Sequence, residues 1–233
     1  MTGEHSSKQY DQELEAIRSK VLLMGGMVET AFEEAMECFR AGDPARADRV
    51  IADDQAVNQL EVQLDDACSH LIVRRQPTAN DLRTVMATIK VITDLERIGD
   101  EASKIARTAK NLHERNGAPF AHYDMVRTIS KATGDLLHDA LDAFARLDGK
   151  QALELIAADE VVDHEFRTIL RNLITFMMED PRTISSALDT LWVAKAIERI
   201  GDHAKNIAEY VIYVVEGRDI RHSKPAATEP AAG

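Results

Sequence analysis

This chain has little of what builds sheets, cross-links or membrane spans. Aromatic residues make up only 5% of it, and its 233 residues include 6 prolines and a single tryptophan. That poverty argues against a β-sandwich and against a low-complexity chain. It has two cysteines, Cys38 and Cys68, thirty residues apart and in no C-x-x-C arrangement, which reads as buried reduced thiols rather than a disulfide or a zinc site. No apolar run is long enough to span a bilayer and no signal-peptide core is present, so the expected location is cytoplasmic, without membrane insertion. Basic residues are outnumbered 28 to 40 by acidic ones; a net charge of -12 lacks the footprint needed for nucleic acid and suits metal cations or basic protein patches. P-loop, G-x-G-x-x-G, G-x-S-x-G and H-E-x-x-H motifs are all missing, and no nucleophile–base constellation replaces them, so no enzymatic activity is expected.

What the chain does have is helical periodicity. Apolar residues recur from Leu14 through Ile17, Val21, Met24, Val28 and Phe32 to Phe39 at a spacing near 3.6, in a helix expected from Lys8. "AGDP" then supplies a stop at Gly42, an N-cap at Asp43 and a first helical residue at Pro44. The pattern predicts further helices over 44–74, 77–115, 124–147 and 150–178, and a sixth from Pro181 to about Gly217 with Asp180 as its N-cap. The break "NGAP" over 116–119 separates two similar halves. Long helices with short connections make antiparallel neighbours. The expected fold is all-α: two tandem three-helix bundles, 8–115 and 123–217, followed by a disordered tail, 218–233, with residues 1–7 frayed.

The halves share a motif. "LERIGDEASKIA" begins at Leu95 and "IERIGDHAKNIA" at Ile197, with eight of twelve letters identical at an offset of 102. Each is preceded by an apolar seam at seven-residue spacing: Leu82, Ile89 and then Glu96 beside Val85, Ile92 and Gly99, repeated as Ile184, Leu191 and Glu198 beside Ala187, Ala194 and Gly201. Asp100 and Asp202 follow each glutamate by one turn on nearly the same face. Carboxylates at a seam are costly to desolvate, and at i, i+4 they repel. Two readings offset this. The acids end an exposed seam and pair with Arg97 and Lys104, or Arg199 and Lys205; or they bind a cation. The glycines likewise make room for a crossing helix or for a ligand.

A second oxygen ladder stands in the preceding helix of each half, Asp54 and Asn58 with Glu61 one turn on, and Asp159 and Asp163. If the ladders face each other, four oxygen ligands converge, a set suited to hard cations and, less selectively, to iron. The alternative leaves Asp54 and Asp159 in the solvated early turns of their helices. The eight histidines complete no helical E-x-x-H di-iron signature, and His203, whose counterpart is Glu101, reads as a surface residue.

At these residues the chain resembles the PhoU family of phosphate-uptake regulators. The resemblance covers nearly the whole chain and rests on the doubled E-R-I-G-D, on "RRQPTANDLR" (74–83) and "MMEDPRTI" (177–184) opening the third and sixth helices, and on the tandem organisation. It implies a cytoplasmic negative regulator of the phosphate-starvation response, linking the phosphate ABC transporter's ATPase subunit to a sensor histidine kinase. It also implies E(D)-x-x-x-D metal motifs, here Glu96 with Asp100 and Glu198 with Asp202, and more loosely Asp54 with Asn58 and Asp159 with Asp163, for Mg, Mn, Ca, Zn or Fe. Together with the long amphipathic helices it suggests a homodimer. The alternative function is a metal-storage or metal-dependent carboxylate bundle, against which the missing E-x-x-H speaks.

Overall fold

The computed structural model describes residues 2–116 and 123–220. They form six long helices and no strand: α1 (Thr2–Ala41), α2 (Pro44–Arg75), α3 (Ala79–Asn116), α4 (Tyr123–Arg146), α5 (Gly149–Glu179) and α6 (Ile184–Glu216), with a 3₁₀ turn, Pro181–Thr183, before α6. The segment between α3 and α4 after Asn116 and the tail beyond Ile220 lie outside the described residues. Helix α1 begins six residues before the expected start at Lys8, and no proline interrupts the polar N-terminal stretch.

The connections are closed by caps. Gly42, at φ +67°, donates its N–H to the Cys38 carbonyl, and Asp43 then accepts from the Arg46 N–H to open α2 on Pro44. Leu147 takes the left-handed position at the end of α4, and Asp148 does double duty: its N–H returns to Ala143 while its carboxylate caps Lys150 and Gln151 of α5. Asp180 accepts from the Arg182 N–H but caps the 3₁₀ turn rather than α6 itself. The Thr183 N–H closes back on the Asp180 carbonyl at 2.9 Å, and this tighter i→i+3 bond delays the α-helix to Ile184.

Helices α1–α3 pack on one another, as do α4–α6, and the two groups share one continuous apolar cluster. Its centre is α3 against α6, where Ile92, Leu95, Ile98, Ile197 and Ile200 are all fully buried. Glu101 meets Arg199 and Asp94 meets Asn206, so the number falls on α6 as it rises on α3 and the pair is antiparallel. Helix α1 crosses α4 in the same sense, through Arg18 to the Ala145 carbonyl and Glu29 to His138. Helices α2 and α5 flank this four-helix centre: α2 contacts α1 and α3, and α5 contacts α4 and α6. Both cysteines are buried and unpaired, and burial pushes each thiol up to about 11.

The seams are tilted relative to the sequence expectation. Val85, Ile92, Ala187 and Ala194 are buried, but Leu82 and Ile184 are 37% and 41% exposed. The line from Leu82 to Glu96 therefore begins in solvent, and Ile89 and Glu96 beyond it are partly buried.

Candidate metal-binding grooves and the seam between the halves

Two grooves, α2 against α3 and α5 against α6, hold the repeated carboxylates. The glycines make room for a crossing helix, one of the two readings that the spacing left open. A Cβ on Gly99 would lie 3.3 Å from Asp54 Oδ1 and 3.4 Å from Val57 Cγ1; one on Gly201 would lie 3.1 Å from Val162 Cγ1 and 3.5 Å from Asp159 Oδ1. The missing side chain lets the flanking helix come close and also seats its aspartate beside the E-R-I-G-D turn.

The halves then part company. In the first groove Asp54, Asn58, Glu61 and Asp65 form one stripe along α2, at steps of four, three and four residues. Buried Oδ1 atoms of Asp54, Asn58 and Asp65 have no hydrogen-bond partner, and neither does the buried Ser103 Oγ. Among the described residues no ion pair reaches Asp54, Glu61, Asp65, Glu96 or Asp100. Burial, then Asp100, raises the Asp54 carboxyl above its ordinary range. Burial raises Glu61 too, helped by Asp65 and Asp100, and Glu96, helped by Asp100, Glu61 and Asp54. Five carboxylates thus stand close together with no cation bonded to any of them, and Arg97, Arg107 and Lys104 offset their repulsion only from a distance.

In the second groove the chain supplies its own cations. Lys205 Nζ is 2.8 Å from Asp159, Lys195 Nζ is 2.6 Å from Glu198, and Arg167 is 2.8 Å from Asp163. Their counterparts in the first half are Ser103, Thr93 and Val62, none of them charged. Burial alone would lower the Lys205 ammonium, but the hydrogen bond and charge of Asp159, with the charges of Glu209 and Asp202, together carry the group above its ordinary value. The oxygen stripe is also cut short, since Phe166 and Leu170 stand where the first half has Glu61 and Asp65, and Lys195 lies 5.3 Å over the Phe166 ring. The Asp202 carboxyl is raised, through partial loss of water and then Glu198 and Asp159.

The pairings differ from those the spacing suggested. Lys104 and Arg199 both bind Glu101, at 2.9 and 3.0 Å, rather than the ladder acids. His203 is not on the surface: it is buried in the α3–α6 seam with Nδ1 2.7 Å from Asp94 Oδ1, which also accepts from Asn206 at 3.2 Å. The repeat alignment could not reveal this, because the counterpart of Asp94 is Ala196.

Among the described residues no three His, Cys, Asp or Glu side chains converge closely enough to enclose a metal ion. The donor set of the first groove nevertheless fits a hard cation: it is all oxygen, largely carboxylate, and its buried Oδ1 atoms are unsatisfied. The second groove fits one less well, its acids being already paired with nitrogen cations.

The PhoU domain family model matches residues 21–109 and 126–211. The chain is 46% identical over 218 residues to the phosphate-specific transport system accessory protein PhoU homolog of Pseudomonas aeruginosa, covering 94% of this chain and 90% of that one. It is 46% identical over 220 residues to the phosphate-specific transport system accessory protein PhoU of Escherichia coli K12, with the same coverage, 94% and 90%. The crystal structure of PhoU from Pseudomonas aeruginosa superposes with a TM-score of 0.86 over 90% of this chain and 100% of that one, at 46% identity. The phosphate transport system regulatory protein PhoU from Streptococcus pneumoniae superposes at 0.82 over 90% and 98%, at 26% identity.

Proposed function

The chain belongs to the PhoU family, and on that footing we propose that it is a regulatory accessory of a phosphate-specific transport system, a cytoplasmic adaptor that restrains the phosphate-starvation response. The observation that carries this reading is the identity of nearly half the residues, over nearly the whole chain, with relatives named for that accessory role. Its proposed partners are the transporter's ATPase subunit and the sensor histidine kinase. Among the described residues no helix is long and apolar enough to cross a membrane. A chain of net charge -12 is also repelled by anionic lipid, so on this reading it reaches a membrane complex through protein contacts.

The role needs no reaction. An adaptor that binds one state of a kinase better than another by about 1–3 kcal/mol biases its output five- to hundredfold. Long exposed helical faces supply the surface, and we further propose that the protein works as a homodimer. Deleting the gene is expected to leave phosphate-responsive promoters active in high phosphate. Promoters that stay silent in the deletion strain would overturn the regulatory reading.

A second proposal rests on the unsatisfied oxygens of the first groove. There Asp54, Asn58, Glu61, Glu96 and Asp100 hold a hard cation or iron, which supplies the positive charge that five close carboxylates lack. Asp159, Asp163, Glu198 and Asp202 do so only weakly, because Lys195, Lys205 and Arg167 already neutralise three of them.

A further inference from the structure

The two ends of the α3–α6 crossing are built to one plan and finished differently. At one end Lys90 lies 5.5 Å over the Tyr210 ring and 5.7 Å over the Tyr213 ring, and Arg83 lies 5.8 Å over Tyr213. The chain thus covers its own cations with its own aromatics. At the other end, 102 residues on or back, Trp192 stands in the place of Lys90, and Thr108 and Asn111 in the places of Tyr210 and Tyr213. The smaller Thr108 leaves a cleft of about 310 Å³ between the helices, walled by Trp192.

We infer that this cleft is a docking pocket for an acidic segment of a partner protein, one that carries an apolar side chain among its carboxylates.

Three observations carry it. Trp192 is the only tryptophan in the chain and is 66% exposed. Tryptophan is among the residues enriched at the energetic centres of protein interfaces. Second, Lys104, Lys195 and Arg199 line the same cleft with their side chains 48%, 43% and 50% exposed. Their partners are the buried Glu101, which holds Lys104 and Arg199 from below, and the buried Glu198, which holds Lys195. The cations are fixed in place with their outer faces open, so the charge presented to solvent is positive on a molecule of net charge -12. Such a patch selects acidic partners and steers them to one place. Third, the exposed apolar surface continues from Trp192 to Leu188 and Ile184, one turn apart each along α6. A free anion would leave that stripe bare, whereas an extended segment covers it. The inference gives a partner chemistry to the regulatory role proposed above, and rests on that reading only for where such a segment comes from.

The single indole makes the test direct. Trp192 emission is followed while the purified full chain is titrated with a synthetic peptide of alternating Asp and Glu around one Phe. Parallel titrations use the Asn/Gln version of that peptide, inorganic phosphate, and phosphatidylglycerol vesicles. The expected result is a saturable shift with the acidic peptide alone, weakening about tenfold or more as salt is raised from low to physiological strength. Thr108→Tyr, which copies the closed end, and Lys104→Gln with Arg199→Gln, which removes the cations, should each abolish the shift; far-ultraviolet dichroism checks that Thr108→Tyr stays folded. An equal response to the amide peptide, to phosphate or to vesicles overturns the inference, as does an unchanged response in folded Thr108→Tyr or no response at all. A shift that appears on concentrating the protein without peptide, with a doubling of mass in sedimentation, assigns the cleft to a second copy and overturns it too. Because these readouts use purified protein, they stand apart from the promoter test: a silent deletion strain with a positive titration leaves the pocket and removes the phosphate role.

Discussion

His203 Nδ1 and Asp94 Oδ1 lie 2.7 Å apart in the seam between α3 and α6, at 8% and 2% exposure, and so join the two halves of the chain through a buried polar pair. Replacing His203 with Leu leaves Asp94 with Asn206 alone, and stripping a buried carboxylate of a partner costs about 1–3 kcal/mol. His203→Leu is therefore expected to lower the free energy of unfolding by that amount, read from the shift of the urea midpoint at an unchanged slope. In Asp94→Ala the same histidine change should cost much less, and a double-mutant cycle measures the difference.

The two motif glycines should not tolerate alanine equally. Alanine gains about 1 kcal/mol of helix propensity at either position. At Gly99 the new methyl meets the end of the Asp54 side chain at 3.3 Å and Val57 at near-ordinary distance, so the gain and the crowding should nearly cancel. At Gly201 it meets the β-branched Val162 at 3.1 Å, and Val162 is itself buried in the α5–α6 contact. Gly201→Ala is expected to destabilise by about 1 kcal/mol or more, as overpacking does, and thermal melts of both variants check the order.

Glu96 keeps its proton to a higher pH in the folded chain than in the unfolded one, because of burial first and then Asp100, Glu61 and Asp54. Between the ordinary carboxylate range and that raised value the folded state binds more protons, so its stability falls as pH rises. Above it the penalty is complete. Glu96→Gln removes the penalty and should be more stable than the parent at pH ~7, by a few tenths of a kcal/mol for a groove half open to water. The advantage should close as pH falls to about 3, below the ordinary glutamate value, where the carboxyl is protonated in both states. A pair of denaturation series across that range tests it; a gain that persists unchanged at low pH would exclude charge as the cause.

Metal response should be confined to one half. A cation held by the folded first groove raises stability by mass action. Glu96→Gln with Asp100→Asn should abolish a rise in melting temperature on adding Mn²⁺ or Mg²⁺, whereas Glu198→Gln with Asp202→Asn should leave most of it. Titration calorimetry on the same variants provides the second readout. Equal losses from both would mean that the lysines of the second groove yield to metal.

Much of this was legible in one dimension. The helices could be read because a 3.6-residue period and a cap such as Asp43–Pro44 are local properties of the chain. The repeat could be read because both halves spell E-R-I-G-D. So, in principle, could the whole stripe Asp54–Asn58–Glu61–Asp65, since an i, i+4, i+7, i+11 pattern of oxygens is as periodic as one of leucines. What could not be read was which faces meet. Lys205 and Asp159 are 46 residues apart, Glu101 and Arg199 98, and Asp94 and His203 109. Periodicity fixes the face on which a side chain stands along its own helix, but the partner of that face is chosen by packing between helices distant in sequence. That choice neutralised one acidic groove and left the other bare. It also buried a histidine that looked superficial, and closed one end of the α3–α6 crossing while leaving Trp192 open at the other.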